Sequence, residues 1–393
     1  MTKEKVIPQI RFSGFTDTWE QRELSEVTAS FEYGLNAAAK EYDGKHKYIR
    51  ITDIDDESRE FSTEDITSPD TDFSLSDNYI LRKGDILFAR TGASVGKTYL
   101  YREKDGLIYF AGFLIRAKIK SKYDDVFVFQ NTLTDNYNKY IRITSQRSGQ
   151  PGVNAQEYGE YTFLLPKYEE QLRIGEWFTH LDRLITLHQR KYDKLTKVKK
   201  AMLEKMFPEN GSPYPEIRFK GFTDAWEQRK LGDIASDMVA GGDIDKDLIL
   251  AEGQYPVIAN ALTGDGIVGY YDKEYRVNAP AVTVTGRGDV GHAKARLVNF
   301  TPVVRLLSVK SEHDVFFLEN VINTLKIVIE STGVPQLTVP QLAKYEVAFP
   351  RQLDEEEHIG AFFKQLDHLI TLHQRKLEKL KNIKKACLEK MFV

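Results

Sequence analysis

The sequence contains two copies of one frame. Residues 11–22 read RFSGFTDTWEQR and return at 218–229 as RFKGFTDAWEQR, an offset of 207 residues. Residues 184–191 read LITLHQRK and return unchanged at 369–376, an offset of 185 residues. A repeat of this size indicates a duplicated domain rather than a solenoid of short units. The chain is therefore predicted to form two tandem halves, each with a variable body followed by a near-constant tail.

Composition limits the class of protein. With 393 residues and 41% hydrophobic residues, the chain is long enough for two or three domains with real cores. The single cysteine, Cys387, excludes a disulfide framework and a four-ligand zinc site, and it indicates a reducing compartment. The sequence shows neither an apolar run of membrane-spanning length nor a signal peptide, so we expect a cytoplasmic protein without a membrane partner. The net charge of −3 means that any positive field must be local.

The two tails have the pattern of long helices. Apolar residues recur at alternating steps of three and four from Ile174 to Met202 and from Ile359 to Cys387, which is typical of a coiled coil. Such a helix is roughly 57 Å long. Neither helix can bury its seam alone, and two equivalent halves pack most simply about a pseudo-two-fold axis, so we expect antiparallel pairing. The predicted interface comprises Leu181, Leu184, His188, Leu195, Val198, Leu366, Leu369, His373, Leu380 and Ile383.

Each tail also carries a basic run. Seven Lys and Arg residues lie within 188–205, and seven more lie within 373–390. Taken alone, such a run is more often a solvated helix face than a binding site. His188 and His373 interrupt the seam at equivalent positions, where a register-setting polar contact is a better interpretation than a metal site. We expect no bound metal.

The two bodies have the composition of mixed, β-rich domains. Loop 90–97 follows the strand-like segment 86–89, loop 286–294 follows 281–285, and a second polar loop precedes each helix, at 146–154 and 331–337. These loops are either glycine-rich β-turns or flexible segments that meet phosphates and base edges. We favour the DNA-contacting interpretation because loop 90–97 and loop 286–294 each carry an arginine and, further along, a lysine. The predicted DNA contacts are Arg90, Thr91, Ser94, Lys97, Arg142, Gln146, Arg147, Gln150, Asn154, Thr285, Arg287, His292, Lys294 and Gln336.

Two glycine motifs in these loops do not support catalysis. The segment Gly92–Thr98 resembles a phosphate-binding loop, but only three residues separate its glycines where four are needed, and a strand follows. The segment Gly286–Gly291 matches G-x-G-x-x-G, yet no helix pattern follows it. Motifs for a methyltransferase or a nuclease core are also missing from the sequence. We therefore expect no catalytic residues.

Taken together, these features resemble the specificity subunits of type I restriction–modification systems. The resemblance covers nearly the whole chain. It rests on the duplicated frame segments, on the strand start Lys83-Gly84-Asp85-Ile86-Leu87, and on the loop–Pro–acidic start of each helix after Pro166 and Pro350. The second body lacks a clean copy of the Lys-Gly-Asp-Ile-Leu segment.

The resemblance implies an α+β architecture, with DNA recognition in this chain and catalysis in partner subunits. Two target-recognition domains would each read one half of a split site in double-stranded DNA. Two conserved helices would hold them apart and dock two methyltransferase subunits. Restriction or translocase subunits would join the same complex. S-adenosylmethionine, ATP and Mg²⁺ would belong to those partners, so this chain would bind no cofactor and would not be an enzyme.

The resemblance also suggests domain bounds. They are 1–166 for the first target-recognition domain, 167–207 for the first helix, 208–215 for a linker, 216–350 for the second domain and 351–393 for the second helix. The competing hypothesis is a non-DNA coiled-coil scaffold that joins two partner proteins. The acidic balance and the missing catalytic motifs suit it equally, but it does not explain two divergent bodies with Arg/Lys loops on duplicated frames.

Overall fold

The computed structural model describes residues 7–209, 211–328 and 335–392. The chain forms two compact units. Unit 1 comprises Met1–His188 with Lys376–Val393, and unit 2 comprises Gln189–Arg375. Each long tail helix therefore contributes to both units. The five-part division expected from the sequence stays a prediction.

Unit 1 contains body one, which is rich in short strands. Its central strand, Asp85–Ala89, is buried along its whole length, as the apolar composition predicts. The strands are β1 Glu20–Glu23, β2 Thr28–Tyr33, β3 Ala39–Glu41, β4 Lys47–Ile49, β5 Thr67–Pro69, β6 Asp85–Ala89, β7 Thr98–Leu100, β8 Ile108–Phe110, β9 Leu114–Ile119 and β10 Thr162–Leu165. The helices are α1 Leu24–Val27, α2 Asp125–Asn131, α3 Asp135–Thr144, α4 Ala155–Gly159 and the long α5 Tyr168–Lys205.

Unit 2 contains body two, built from the same kinds of element. The strands are β11 Glu227–Lys230, β12 Ala235–Ala240, β13 Tyr255–Ile258, β14 Ile267–Tyr271, β15 Ala281–Thr285, β16 Ala293–Arg296, β17 Thr301–Pro302, β18 Leu306–Ser311 and β19 Glu346–Phe349. The helices are α6 Leu231–Ile234, α7 Val315–Asn323, α8 Val339–Leu342 and the long α9 Leu353–Met391.

The two bodies share the strand order of their main sheets although their sequences align poorly, whereas the second sheet has four strands in unit 1 and three in unit 2. The main sheet has the strand order β2-β9-β6-β7 in unit 1 and β12-β18-β15-β16 in unit 2. A second sheet contains one parallel pair in each unit, β4 with β8 and β13 with β17. A two-stranded ladder, β1 with β10 or β11 with β19, completes each body. The predicted α+β class and internal repeat are confirmed.

The duplicated frame segments fix each body to the start of a long helix. In unit 1, Arg11 donates from Nε and Nη2 to the two carboxylate oxygens of Glu170, at 2.6 and 2.7 Å. Arg218 binds Glu355 in unit 2 through the same atoms at the same distances. Both carboxylates are buried, and both lie in the first turns of α5 and α9. The repeated arginine is therefore a clamp on the helix start.

Within each unit, segments of α5 and α9 run antiparallel. In unit 1, Asp182 pairs with Lys384 at 2.7 Å, and Phe178 meets Phe392 with ring centroids 5.7 Å apart. Residue numbers therefore fall along α5 as they rise along α9, which is the antiparallel arrangement. In unit 2 the pairs are Lys199 with Asp367 at 2.6 Å and Phe207 with Phe363 at 5.8 Å. These are the same four positions shifted by 185 residues, and they confirm the predicted antiparallel pairing.

The predicted interface is buried at some positions and open at others. Leu181 and Leu366 are buried. Leu380 and Ile383 pack against the core that holds Leu181, and Leu195 and Val198 pack against the core that holds Leu366. His188 and His373 are partly buried.

Leu184 and Leu369 depart from the prediction. They remain 42% and 39% exposed, so the seam is not closed at these positions. Sequence periodicity identified the helix face correctly, but it did not show which part of that face is covered.

The residues at the end of each long helix, or directly after it, enter the core of a body. Met391 and Phe392 belong to the core of unit 1, and Met206 and Phe207 belong to that of unit 2. The backbone repeats this equivalence. Ile10 N donates to the Lys390 carbonyl at 3.0 Å, and Ile217 N donates to the Lys205 carbonyl at 2.8 Å. Body one is thus completed by the end of α9, which is distant from it in the sequence, and body two by the end of α5, which directly precedes it.

Candidate nucleic-acid interface

The first predicted loop of unit 1 is a tightly held hairpin between β6 and β7. Ala89 N donates to the Lys97 carbonyl at 2.8 Å, and Gly96 N donates to the Ala89 carbonyl at 3.0 Å. From below, the Tyr137 hydroxyl donates to the Gly96 carbonyl at 3.0 Å. Burial raises the pKa of Tyr137 well above its ordinary value, so the hydroxyl keeps its proton and remains a donor. These hydrogen bonds therefore fix the backbone at both ends of the loop.

The second predicted loop of unit 1 lies beside the first. Gly92 N donates to the Pro151 carbonyl at 3.0 Å, and Val153 N donates to the Arg90 carbonyl at 2.9 Å. Thr91 and Gly152 lie opposite each other between these two hydrogen bonds and form an isolated antiparallel β-bridge. The fold therefore brings together the two loops that the sequence singled out separately.

Unit 2 repeats this arrangement. Gly288 N donates to the Pro335 carbonyl at 3.4 Å, and Leu337 N donates to the Gly286 carbonyl at 2.8 Å. Arg287 and Gln336 form the bridge. Of the second loop, Ser331–Val334 lie outside the described residues. Both bodies therefore present one loop pair built by the same backbone pattern.

The hydrogen bonds of the hairpin correct one expected correspondence. Thr285 N donates to the His292 carbonyl at 3.0 Å, just as Ala89 N donates to that of Lys97. His292 therefore occupies the position of Lys97, whereas Lys294 lies further along β16, opposite Thr283. The alignment by sequence was displaced by two residues. One residue arises because Arg287 occupies the position of Thr91 rather than that of Arg90, and the other because the turn in unit 2 is one residue shorter.

Several predicted contact residues of unit 1 already have partners. Lys97 is only 8% exposed, donates to the Ile54 carbonyl at 3.0 Å and pairs with Asp56 at 2.6 Å, which gives it a structural role. Arg147 pairs with Glu157, and Asn154 caps α4 by accepting from Glu157 N at 2.9 Å.

The remaining candidates of unit 1 are more open. The Arg90 guanidinium lies 5.1 Å from the ring centroid of Tyr33. Thr91 and Ser94 are partly buried. The exposed candidates are Arg142, Gln146 and Gln150.

The candidates of unit 2 divide in the same way. Thr285 is 6% exposed and donates to the Asp289 carbonyl at 2.6 Å, so its hydroxyl shapes the turn. Lys294 pairs with Asp265, and hydrogen bonding from Lys294 lowers the pKa of Asp265. His292 is exposed and lies 3.1 Å from Asp289. Arg287 is exposed and Gln336 partly buried. Among these three cations of the described loop residues, Arg287 is the one whose side chain forms no ion pair.

Sequence reasoning missed the residues that support these loops from elsewhere in the fold. Tyr33 stacks on Arg90 from the end of β2. Asn260 accepts from Gly286 N at 2.8 Å and donates to the Arg287 carbonyl. No local pattern marks these positions because each contact joins distant parts of the sequence.

The described residues provide neither a metal-binding cluster nor a membrane-spanning helix. They contain no group of three or more His, Cys, Asp or Glu side chains placed to hold a metal ion. Neither α5 nor α9, nor any other helix among the described residues, combines the length and hydropathy of a membrane span.

Comparison with known proteins gives a consistent family. The family model for the type I restriction modification DNA specificity domain matches residues 16–197 and 223–382. A putative type I restriction enzyme MjaX specificity subunit from Methanocaldococcus jannaschii is 23% identical, over 98% of this chain and 95% of that protein. The type I restriction enzyme MjaVIII specificity subunit of the same organism is 21% identical, over 78% of this chain and 77% of that protein.

A solved structure shares the fold. The S subunit of a type I restriction-modification system from M. genitalium superposes with a TM-score of 0.74 at 13% identity, over 99% of both chains. At this identity the likeness shows the fold alone. The family model, by contrast, matches most of both halves of the sequence, and this chain therefore belongs to the type I restriction modification DNA specificity domain family.

Proposed function

We propose that this chain is the DNA-recognition subunit of a type I restriction–modification complex and reads a bipartite site, one half-site per body. The observation that carries the proposal is the duplicated loop pair. Each body presents the same backbone arrangement, with Arg90 at one loop pair and Arg287 at the other. Different side chains on one scaffold suit two different half-sites better than they suit a scaffold protein without a nucleic-acid partner.

The low overall charge is compatible with this proposal. Base readout needs only a few well-placed donors and acceptors, while phosphate contacts supply much of the affinity. With a net charge of −3, this chain would rely on its partner subunits for much of the phosphate-binding surface. We therefore place specificity in this chain and much of the affinity in the assembled complex.

Docking of two identical methyltransferase subunits is supported by the helices. Leu184 and Leu187 are 42% and 45% exposed on α5, and Leu369 and Leu372 are 39% and 37% exposed on α9. They belong to the identical segments 184–191 and 369–376. Two equal apolar patches suit two copies of one partner. Methylation with S-adenosylmethionine would then occur in those subunits, and ATP- and Mg²⁺-dependent cleavage in restriction subunits of the same complex.

Alanine at Arg90 or Arg287 should weaken specific binding by the assembled complex roughly ten- to hundredfold, because a bidentate arginine–guanine contact contributes on the order of 1–3 kcal/mol. Each variant should relax the sequence preference in one half-site only. The measurement is competition binding to duplexes that carry the site identified by sequencing methylated DNA. Arg82, which is exposed before β6 and away from the loop pair, provides the control variant Arg82→Ala. If Arg90→Ala and Arg287→Ala both keep wild-type affinity and sequence preference, the loop pairs are not the reading surface.

A further inference from the structure

We infer that each body has a third DNA-reading segment, with Arg59 as its reading side chain in unit 1 and Leu262 in unit 2. The segment is the connection 50–66 between β4 and β5, and the connection 259–266 between β13 and β14. These strands correspond in topology, because β4 and β13 each form the parallel pair of the second sheet. The inference rests on the proposed function and adds a reading element to it.

In unit 2 the third segment is attached to the first loop at two points. Asn260 uses both ends of its side-chain amide, accepting from Gly286 N at 2.8 Å and donating to the Arg287 carbonyl. Asp265 forms an ion pair with Lys294 on β16. The segment therefore lies against the hairpin that presents Arg287.

The shape of this segment leaves Leu262 exposed beside that hairpin. Gly264, Asp265 and Gly266 have successive φ values of 58°, 57° and 73°, a left-handed run that turns the chain sharply. Leu262, two residues before this run, is 55% exposed. Leu262 also lies two residues after Asn260, whose side chain binds the backbone of the hairpin at Gly286 and Arg287. An exposed leucine at this place is suited to contact the 5-methyl group of thymine in the major groove.

In unit 1 the third segment is attached by different side chains. Lys97 of the first loop binds the Ile54 carbonyl at 3.0 Å and pairs with Asp56 at 2.6 Å. Lys381 of α9 pairs with Glu57 at 2.5 Å. A tight turn follows, in which Arg59 N donates to the Asp55 carbonyl at 3.1 Å. The buried Lys97 thus connects the first loop to the turn that carries Arg59.

Arg59 has the features of a reading residue without a ligand. Its φ of 57° is uncommon for a residue other than glycine, and the turn holds it there. The guanidinium is partly buried, burial lowers its pKa, and within the described part of the chain its side chain forms no hydrogen bond or ion pair. The N7 and O6 atoms of guanine would supply the missing acceptors.

The Leu262 contact is tested by replacing each thymine of the half-site read by body two with deoxyuridine, which removes only the methyl group. With the complex of this chain and its methyltransferase subunits, one replacement should weaken wild-type binding about three- to fivefold, as expected for one buried methyl group. Leu262→Ala should bind more weakly and lose this sensitivity, whereas Leu262→Met should keep it. Leu297→Ala is the matched control, because Leu297 is 58% exposed at the far end of β16.

The Arg59 contact is tested by replacing each guanine of the other half-site with 7-deazaguanine, which removes the N7 acceptor. One replacement should weaken wild-type binding roughly five- to tenfold. Arg59→Ala should lose the sensitivity at one guanine and keep it at the guanine that Arg90 contacts, while the control Arg82→Ala should keep the sensitivity at both. Sensitivity retained at every guanine in Arg59→Ala, or the absence of a sensitive guanine, would remove Arg59 from the reading surface.

The outcomes separate this inference from the proposed function. If the wild-type complex prefers no duplex over scrambled competitors, the proposed function itself fails. The thymine contact is wrong if the complex binds specifically but no replacement of thymine by deoxyuridine weakens binding. It is also wrong if Leu262→Ala responds to these replacements as the wild type does. A uniform loss of affinity in Leu262→Ala with an unchanged profile contradicts it as well, because it indicates a structural role.

Discussion

Phe392→Ala is expected to destabilise unit 1 by about 3–5 kcal/mol, the usual cost of truncating a buried phenylalanine. Phe392 is 8% exposed, and its ring lies 5.2, 5.7 and 6.5 Å from the rings of Phe127, Phe178 and Trp19. A residue at the end of α9 thus fills the core beside the start of α5. Removing its ring would leave a cavity lined by three aromatic side chains.

Hydrogen exchange read by mass spectrometry can locate this effect. Protection should fall more than a hundredfold in β1, β10 and α2, with much smaller changes in body two. Phe207→Ala is the matched variant, since Phe207 contacts Trp226, Phe317 and Phe363 in unit 2 and should give the opposite pattern. Equal loss in both bodies from either variant would show that the helix ends do not belong to separate cores.

Arg11→Ala is expected to cost about 3–5 kcal/mol in unit 1, because it leaves the buried carboxylate of Glu170 without its cation. The Arg11 and Glu170 side chains are 11% and 2% exposed, and two parallel hydrogen bonds join them. Arg11→Lys should recover only part of the loss, since an ammonium group does not reproduce the two-point contact.

A nearby arginine supplies the control for this prediction. Arg22 pairs with Glu20 at 2.6 Å, but its side chain is 39% exposed and that of Glu20 is 70% exposed. Arg22→Ala should therefore cost less than about 1 kcal/mol. The two variants are compared by unfolding in denaturant, followed by tryptophan fluorescence in a Trp226→Phe background, in which the remaining tryptophans, Trp19 and Trp177, both belong to unit 1. Equal effects of Arg11→Ala and Arg22→Ala would show that the frame arginine is not a clamp.

The helices illustrate what the sequence can and cannot predict. Steps of three and four predicted the long helices, because periodicity depends only on helix geometry. Their antiparallel pairing was predicted from the duplication, because two equivalent halves pack most simply about a two-fold axis. Periodicity does not report what covers a face, so the exposure of Leu184 and Leu369 was not foreseen. The repeated Lys-Met-Phe at 205–207 and 390–392 was a usable signal for the two helix ends that enter the cores.

The loops show a second limit. Glycine content marked both loops in each body, with arginine in three of the four loops, and the structure brings each pair together. The burial of Lys97 could not be predicted, because its partners Ile54 and Asp56 lie some forty residues earlier in the chain. The support that Asn260 gives to Arg287 also depends on tertiary contacts that have no local sequence signature.

The central claim is that each body reads one half-site independently. The most direct test replaces residues 24–161 with the matching segment of a relative and sequences the methylated DNA of cells that express the complex. This exchange leaves the β1–β10 ladder and both long helices intact. We predict a new sequence in one half-site, with the other half-site and the spacing between them unchanged. A change in both half-sites, or the wild-type site retained by a folded and active exchange variant, would contradict the account.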